Sequence, residues 1–157
     1  PHPLDWLHFE NTFSFTRAQF STAIDGSKNV PGIPAARYLS QLKGNFFFYC
    51  KSIRNLYVSL ESDYTFRQKN AFAGYDTETA TPAYWLINAS VGTDITKKGN
   101  TLFSISLSGN NLSDIAYQNH LSRLKYAAEN YATGRKGVYN MGRNISIKLI
   151  VPKKKKK

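Results

Sequence analysis

The chain of 157 residues carries 21 Lys and Arg against 10 Asp and Glu, a formal charge of +11, and 14% of it is aromatic. That length suits one domain or a piece of a larger one, the aromatic content excludes a disordered chain, and the single Cys50 excludes an internal disulfide and every multi-cysteine zinc site. Five lysines form a terminal run at 153–157, leaving sixteen basic residues against ten acidic ones, an excess of +6, for the body of the chain; charge alone therefore carries no nucleic-acid argument.

Taken in chain order, the pattern has period two. The first segment alternates Leu7, Phe9, Phe13 and Phe15 with His8, Glu10, Thr12, Ser14 and Thr16. The second, over 36–50, places Tyr38, Leu42, Phe46 and Phe48 on one parity. The third sets Leu56, Val58, Leu60, Tyr64 and Phe66 against Tyr57, Ser59, Glu61, Asp63 and Thr65. The fourth sets Trp85, Ile87, Ala89, Val91 and Ile95 against Asn88, Ser90, Gly92 and Asp94. The fifth sets Phe103, Ile105 and Leu107 against serines 104, 106 and 108. The sixth sets Tyr139, Met141, Ile145, Ile147 and Leu149 against Asn140, Gly142, Asn144, Ser146 and Lys148. Successive side chains of a strand point to opposite faces, so the sequence predicts an all-β chain, an antiparallel up-and-down meander of about six half-apolar strands. Only 122–132 hints at a helical turn.

The predicted connections alternate in length. Residues 21–35, 68–82 and 117–136 form long loops; 51–55 and 97–100 form short turns. All the long loops then leave one end of the sheet. Compact soluble domains favour short connections throughout, whereas membrane β-barrels have short turns on one side and long loops on the other. Ordered by height above the short turns, the aromatics fall into two belts. Trp6, Phe46, Phe48 and Phe103 lie low; Phe15, Tyr38, Tyr64, Phe66, Trp85 and Tyr139 lie high. Leu42, Val58, Leu60, Ala89, Val91, Ile105, Leu107, Ile145 and Ile147 fill the band between them. Aromatic girdles around an aliphatic band are the membrane-interface pattern of outer-membrane barrels. Asn11 breaks it, lying on the apolar parity in mid-strand. The alternative is a soluble β-sandwich whose polar face meets water. Six strands fall short of the roughly eight that close a membrane barrel, and an open edge is not viable in lipid. The expectation is a piece of a larger barrel, or self-association through paired edges. The chain begins at Pro1, shows no signal peptide and has no apolar run near ~18 residues, which reads as a processed chain or a fragment.

Particular residues sharpen this reading. Pro3-Leu4-Asp5-Trp6-Leu7-His8-Phe9-Glu10-Asn11 resembles a strand opening found late in TonB-dependent outer-membrane receptors of Gram-negative bacteria. Ser108-Gly109-Asn110-Asn111-Leu112-Ser113-Asp114 resembles their penultimate-strand motif. Tyr117-Gln118-Asn119-His120-Leu121-Ser122-Arg123-Leu124-Lys125-Tyr126 looks like the last extracellular loop of the siderophore and iron-receptor branch, and Gly142-Arg143-Asn144 with Ile145, Ile147 and Leu149 looks like the closing strand. The resemblance covers residues 1–152 and implies the last six strands of a barrel of about 22 strands, with 153–157 a disordered or artificial tail. It also implies ligand capture by extracellular loops and uptake driven by TonB. The implied partners are an N-terminal plug and the remaining strands, the TonB complex reached through that plug, and outer-membrane lipid. Family members usually end in an aromatic residue, whereas this chain ends Val151-Pro152 followed by lysines.

No catalytic or cofactor motif stands out, so the chain is not read as an enzyme and no cofactor or metal is expected. His2, His8 and His120 lack metal-ligand spacing. Glu61, Asp63 and Asp94 read as a solvated wall, and Cys50 as an inert strand-end thiol. The loop 117–136 is the strongest ligand-contact candidate, through His120, Arg123, Lys125, Tyr126, Tyr131 and Arg135. Arginine chelates carboxylates and tyrosine offers flat amphipathic contact, a mixture suited to an anionic or metal-chelate ligand. The loops 21–35 and 68–82, with Tyr75, are weaker candidates. Sequons at Asn88, Asn111 and Asn144 lie on or beside strands and read as chance. Two rival functions remain: a soluble all-β ligand-binding module, and a basic nucleic-acid binder. The second is disfavoured because the basic residues concentrate in turns, loops and tail while the aromatics form belts.

Overall fold

A computed structural model describes residues 4–46 and 52–152. His2, Phe48, Cys50 and the lysine tail lie outside the described residues. Among the described residues ten strands occur in chain order: β1 (Leu7–Ser14), β2 (Gln19–Ile24), β3 (Ser27–Asn29), β4 (Arg37–Phe46), β5 (Ile53–Thr65), β6 (Tyr84–Lys97), β7 (Asn100–Asn110), β8 (Glu129–Asn130), β9 (Arg135–Lys136) and β10 (Asn144–Ile150). Six of them build one antiparallel sheet in the order β1-β4-β5-β6-β7-β10, while β2-β3 and β8-β9 are two small separate ladders. The large sheet is a meander of sequence neighbours, as the period-two pattern predicts. It is open, with β1 and β10 as its edges.

The register lays the expected faces out row by row. On the apolar face Phe13 pairs with Tyr38, Tyr38 with Tyr64 and Tyr64 with Trp85. Two rows lower run Phe9, Leu42, Leu60, Ala89, Gly109 and Ile145, then Leu7, Gly44, Val58, Val91, Leu107 and Ile147. Phe66 adds edge-on contacts to Phe13 at 6.1 Å and Tyr64 at 4.8 Å, and Trp6 sits 5.6 Å from Phe46 at the other end. Between the upper aromatic row and the aliphatic rows lies a row containing Asn11, Ser40, Ser62 and Ile87. The Tyr38 hydroxyl donates to Asn11 Oδ1 at 2.7 Å, and the Trp85 indole N–H donates to Ser62 Oγ at 2.8 Å. Asn11 thus serves an aromatic polar tip, and Ser40 and Ser62 share its row, so the polar interruption of the apolar face extends beyond Asn11.

The other face is polar and cross-linked. Ser59 and Ser90 hydroxyls meet at 2.8 Å, as do those of Ser108 and Ser146, in one row that also holds His8 and Lys43. Asn88 Nδ2 donates to Glu61, and Asn55 Nδ2 and the Ser104 hydroxyl donate to Asp94. Arg37 grips Asp63 through two bonds of 2.7 and 2.6 Å. Asp63 is buried, a departure from the solvated wall expected of it, while Glu61 and Asp94 stay partly exposed, with their hydrogen-bond partners on neighbouring strands.

Burial is inverted relative to a water-soluble domain. Among the described residues the buried hydrophobic side chains are Phe72 and Leu86, while Ser59, Asp63, Thr65, Gln68, Thr81, His120 and Lys125 are buried polar ones. Phe9, Phe13, Leu60, Trp85, Ile145 and Ile147 are exposed. Each such side chain forgoes about 1.5–3 kcal/mol of burial while it faces water.

Local geometry corrects several boundaries. Residues 21–35 are not a plain loop, because β2 and β3 pair around Asp25 and Gly26, both at positive φ. The expected turn at 51–55 is corrected at its far boundary: Ile53 already belongs to β5, and Asn55 at φ 52 marks a bulge against β6. The 97–100 turn holds, with Lys98 and Gly99 both at positive φ, as the right-handed twist of a two-residue hairpin requires. β1 stops at Ser14, one residue before Phe15. β10 starts only at Asn144, so Tyr139 and Met141 lie outside it. Tyr139 therefore does not belong to the upper belt; the Arg135 guanidinium covers its ring at 5.2 Å. The helical hint at 122–132 reduces to a single 3-10 turn, Arg123–Tyr126.

Gly92 has a steric role on the polar face. It pairs with Tyr57, and a Cβ there would stand 2.5 Å from the Tyr57 ring, over which Lys43 Nζ lies at 5.2 Å. Gly92→Ala is expected to destabilise the sheet by about 1–3 kcal/mol through overpacking. Gly92→Ala combined with Tyr57→Ala is expected to recover part of that loss in a denaturant titration, because the clash is gone.

Candidate functional site

The three long connections leave the same end of the sheet and knit together there. Asn29 Nδ2 donates to the Ala71 carbonyl, Gln68 Nε2 to the carbonyls of Ile33 and Pro34, and the Tyr75 N–H to Asp25 Oδ2. Phe20 packs edge-on against Phe72 at 6.2 Å, so the β2-β3 hairpin carries the apolar contact of this cap. Glu78 is the principal tie. One carboxylate oxygen accepts the Gly32 N–H at 2.7 Å, the other the Phe72 N–H at 3.0 Å, and His120 Nε2 stands 4.0 Å away.

The loop 117–136 docks through two buried cationic or titratable side chains. Lys125 Nζ donates to the Thr79 carbonyl and to Thr81 Oγ1, each at 3.3 Å, and lies 3.4 Å from His120 Nδ1. Thr81 Oγ1 is 2.7 Å from the same nitrogen. A nitrogen facing an ammonium group must accept, so Nδ1 is the bare nitrogen and the proton belongs on Nε2. That Nε2–H is buried with no hydrogen-bond partner. The Lys125 ammonium also covers the Tyr126 ring at 4.9 Å, and the Tyr126 hydroxyl accepts the Thr79 N–H at 3.2 Å.

Burial first, and then the Lys125 ammonium, hold the His120 pKa below its ordinary 6.5, against a smaller opposing pull from Glu78. His120 is therefore neutral in the folded cap. A histidine whose folded pKa is depressed stabilises nothing by charging. As pH falls through the unfolded value near ~6.5 the unfolded chain gains a proton that the cap resists, and stability is lost. Amide exchange in 117–126 is expected to accelerate between pH 7 and pH 5 relative to the sheet, after correction for intrinsic exchange. His120→Gln is expected to flatten that dependence.

Two recesses flank His120. The larger, about 660 Å³, opens between Pro31-Gly32, Thr77-Glu78 and the 120–126 segment, with Arg123 and Tyr126 on its rim. The smaller, about 310 Å³, lies against the polar face of the sheet between Arg37, Asp63, Tyr84 and Tyr117. His120 and Leu121 are the wall between them. Tyr84 and Tyr117 stack at 4.4 Å, and burial pushes the Tyr117 phenol up. The larger cleft offers a guanidinium, a phenol, hydroxyls and one carboxylate, a set able to orient a polar ligand by hydrogen bonds.

The six sequence-derived ligand candidates separate. His120, Arg123 and Tyr126 line the larger cleft. Lys125 is buried behind it, bonded to Thr79 and Thr81. Tyr131 is 98% exposed at the tip between β8 and β9, and Arg135 stacks on Tyr139. Glu78, Thr81 and Gln68 went unread in the sequence. Each has partners 34 to 46 residues away, and no spacing rule spans such a gap. Among the described residues no group of three His, Cys, Asp or Glu could hold a metal ion, and no helix is long and apolar enough to cross a membrane. Comparison with protein-family models, curated proteins and solved structures finds no match for the chain.

Proposed function

We propose that this chain is a wall segment of a TonB-dependent outer-membrane receptor, contributing strands to a larger closed barrel and three extracellular loops to the capture of a siderophore, metal chelate or other nutrient. The observation that carries this reading is the inverted polarity of the sheet: an exposed apolar face carrying aromatics, and a cross-bonded polar face on the other side. Water penalises the first face and hydrocarbon rewards it. The open edges β1 and β10 supply the second support, since a sheet that ends in unpaired N–H and C=O groups calls for further strands. In this role the loop cap forms the outer mouth, and the cleft beside His120 and Arg123 is where an anionic or chelate ligand docks.

The direct test is an immunoblot of fractionated source cells with an antibody raised to residues 117–136. A band several times heavier than 17.7 kDa in the outer-membrane fraction is expected. A water-soluble band near 17.7 kDa overturns the receptor reading in favour of a soluble all-β ligand-binding module.

A further inference from the structure

The apolar face is interrupted by a groove. Its floor is made by Ala89 and Gly109, paired across β6 and β7, and Ile145 of β10 pairs with Gly109 on the far side. Val58, Val91, Leu107 and Leu112 complete a nearly apolar notch of about 350 Å³. The small residues create it: a Cβ on Gly109 would stand 2.6 Å from Leu112 Cδ2. Arg143 lies at its upper end. It precedes Ile145 by two residues, ~7 Å along an extended chain. Its Nε–H donates to the carbonyl of Leu112 at 3.0 Å, which ties the exposed guanidinium to the groove wall. The neighbouring Asp114 carboxylate is engaged by the Arg143 backbone N–H at 2.8 Å, and among the described residues no carboxylate forms an ion pair with the guanidinium.

We propose that this groove seats one acyl chain of an anionic, phosphate-bearing membrane lipid whose headgroup is held by Arg143. The inference rests on the membrane reading given above and adds a lipid partner to it. Two features select this occupant. The groove is continuous with the aliphatic band and lies below the Tyr64-Trp85 aromatic row, where acyl chains would run. A guanidinium stands at the level where the chain would end in its headgroup, and guanidinium pairs with phosphate in bidentate geometry.

The test uses the protein inserted in phosphatidylcholine vesicles doped with spin-labelled phosphatidylglycerol or spin-labelled phosphatidylcholine. Electron paramagnetic resonance then gives the motionally restricted fraction of each label. The groove predicts about a fivefold preference for phosphatidylglycerol, the value of one cation beside an anionic lipid. Arg143→Gln should bring the preference near unity, and Ala89→Leu, which fills the floor with a side chain at home in lipid, should lower it as well. A restricted fraction that is equal for the two labels overturns the groove and leaves the membrane reading standing. No restricted fraction for either label overturns the membrane reading itself. A detergent-stable dimer dispersed by Ala89→Leu assigns the groove to a second copy of the chain and overturns the lipid.

Discussion

Leu60→Arg is expected to reduce membrane insertion by roughly 30- to 800-fold, the equivalent of about 2–4 kcal/mol for a cation near the bilayer midplane. Leu60 is 52% exposed in the middle of the apolar face, flanked by Leu42 and Ala89 in its row. The polar-face control Ser106→Arg, on the opposite parity of β7, is expected to change insertion little, because that side chain lies on the polar face, in register with Lys148. The measurement is the carbonate-resistant, protease-protected fraction after insertion into lipid vesicles. The same substitution separates the rival reading. On a water-soluble sheet an exposed leucine replaced by arginine shifts stability within about 0.5 kcal/mol and improves solubility. A soluble, folded Leu60→Arg protein would therefore remove the membrane assignment.

Glu78→Ala is expected to open the loop cap by about 2–3 kcal/mol while leaving the sheet intact. The substitution removes two charge-assisted bonds, to the N–H groups of Gly32 and Phe72. The Gly32 bond joins the connection between β3 and β4 to the connection after β5, and the Phe72 bond closes the latter on itself. The substitution also removes the carboxylate that stands 4.0 Å from His120 Nε2. Limited proteolysis should cut within 30–34 and 117–126 many times faster in the variant, at an unchanged rate in β4 to β7. Glu78→Gln keeps one acceptor oxygen and is expected to fall between wild type and alanine. Equal proteolysis of Glu78→Ala and wild type would mean that Gln68 and the Phe20-Phe72 contact hold the cap without the carboxylate.

The sheet was legible because its signal is local. Leu56, Val58, Leu60 and Tyr64 alternate within one strand, and alternation alone assigns their face. The hairpin at Lys98-Gly99 was equally plain, since a two-residue turn needs positive φ and glycine supplies it. Errors arose where alternation continued beyond the ladder. Tyr139 and Met141 keep the parity of Ile145, yet the chain there is bonded elsewhere: the Asn140 N–H donates to the Tyr117 carbonyl, and Asn111 Nδ2 to the Met141 carbonyl. The β2-β3 hairpin was missed because Gly26, Pro31 and Gly32 read as loop punctuation, and Asp25 had to be seen at positive φ to reveal the turn.

By itself the sequence determined the strand faces, the meander order and the placing of the long connections at one end of the sheet. Each depends on residues within one strand or on lengths between adjacent strands. It also marked His120, Arg123 and Tyr126 as polar loop residues. Only the tertiary structure decided that Lys125 is a buried strut, that Glu78 gathers three loops, that Asn11 receives the Tyr38 hydroxyl, and that Ala89 and Gly109 leave a groove beneath Arg143. These are contacts between segments far apart in the chain. They follow from the register that brings distant strands and loops together, and a register is a property of pairs of strands that neither strand's pattern contains.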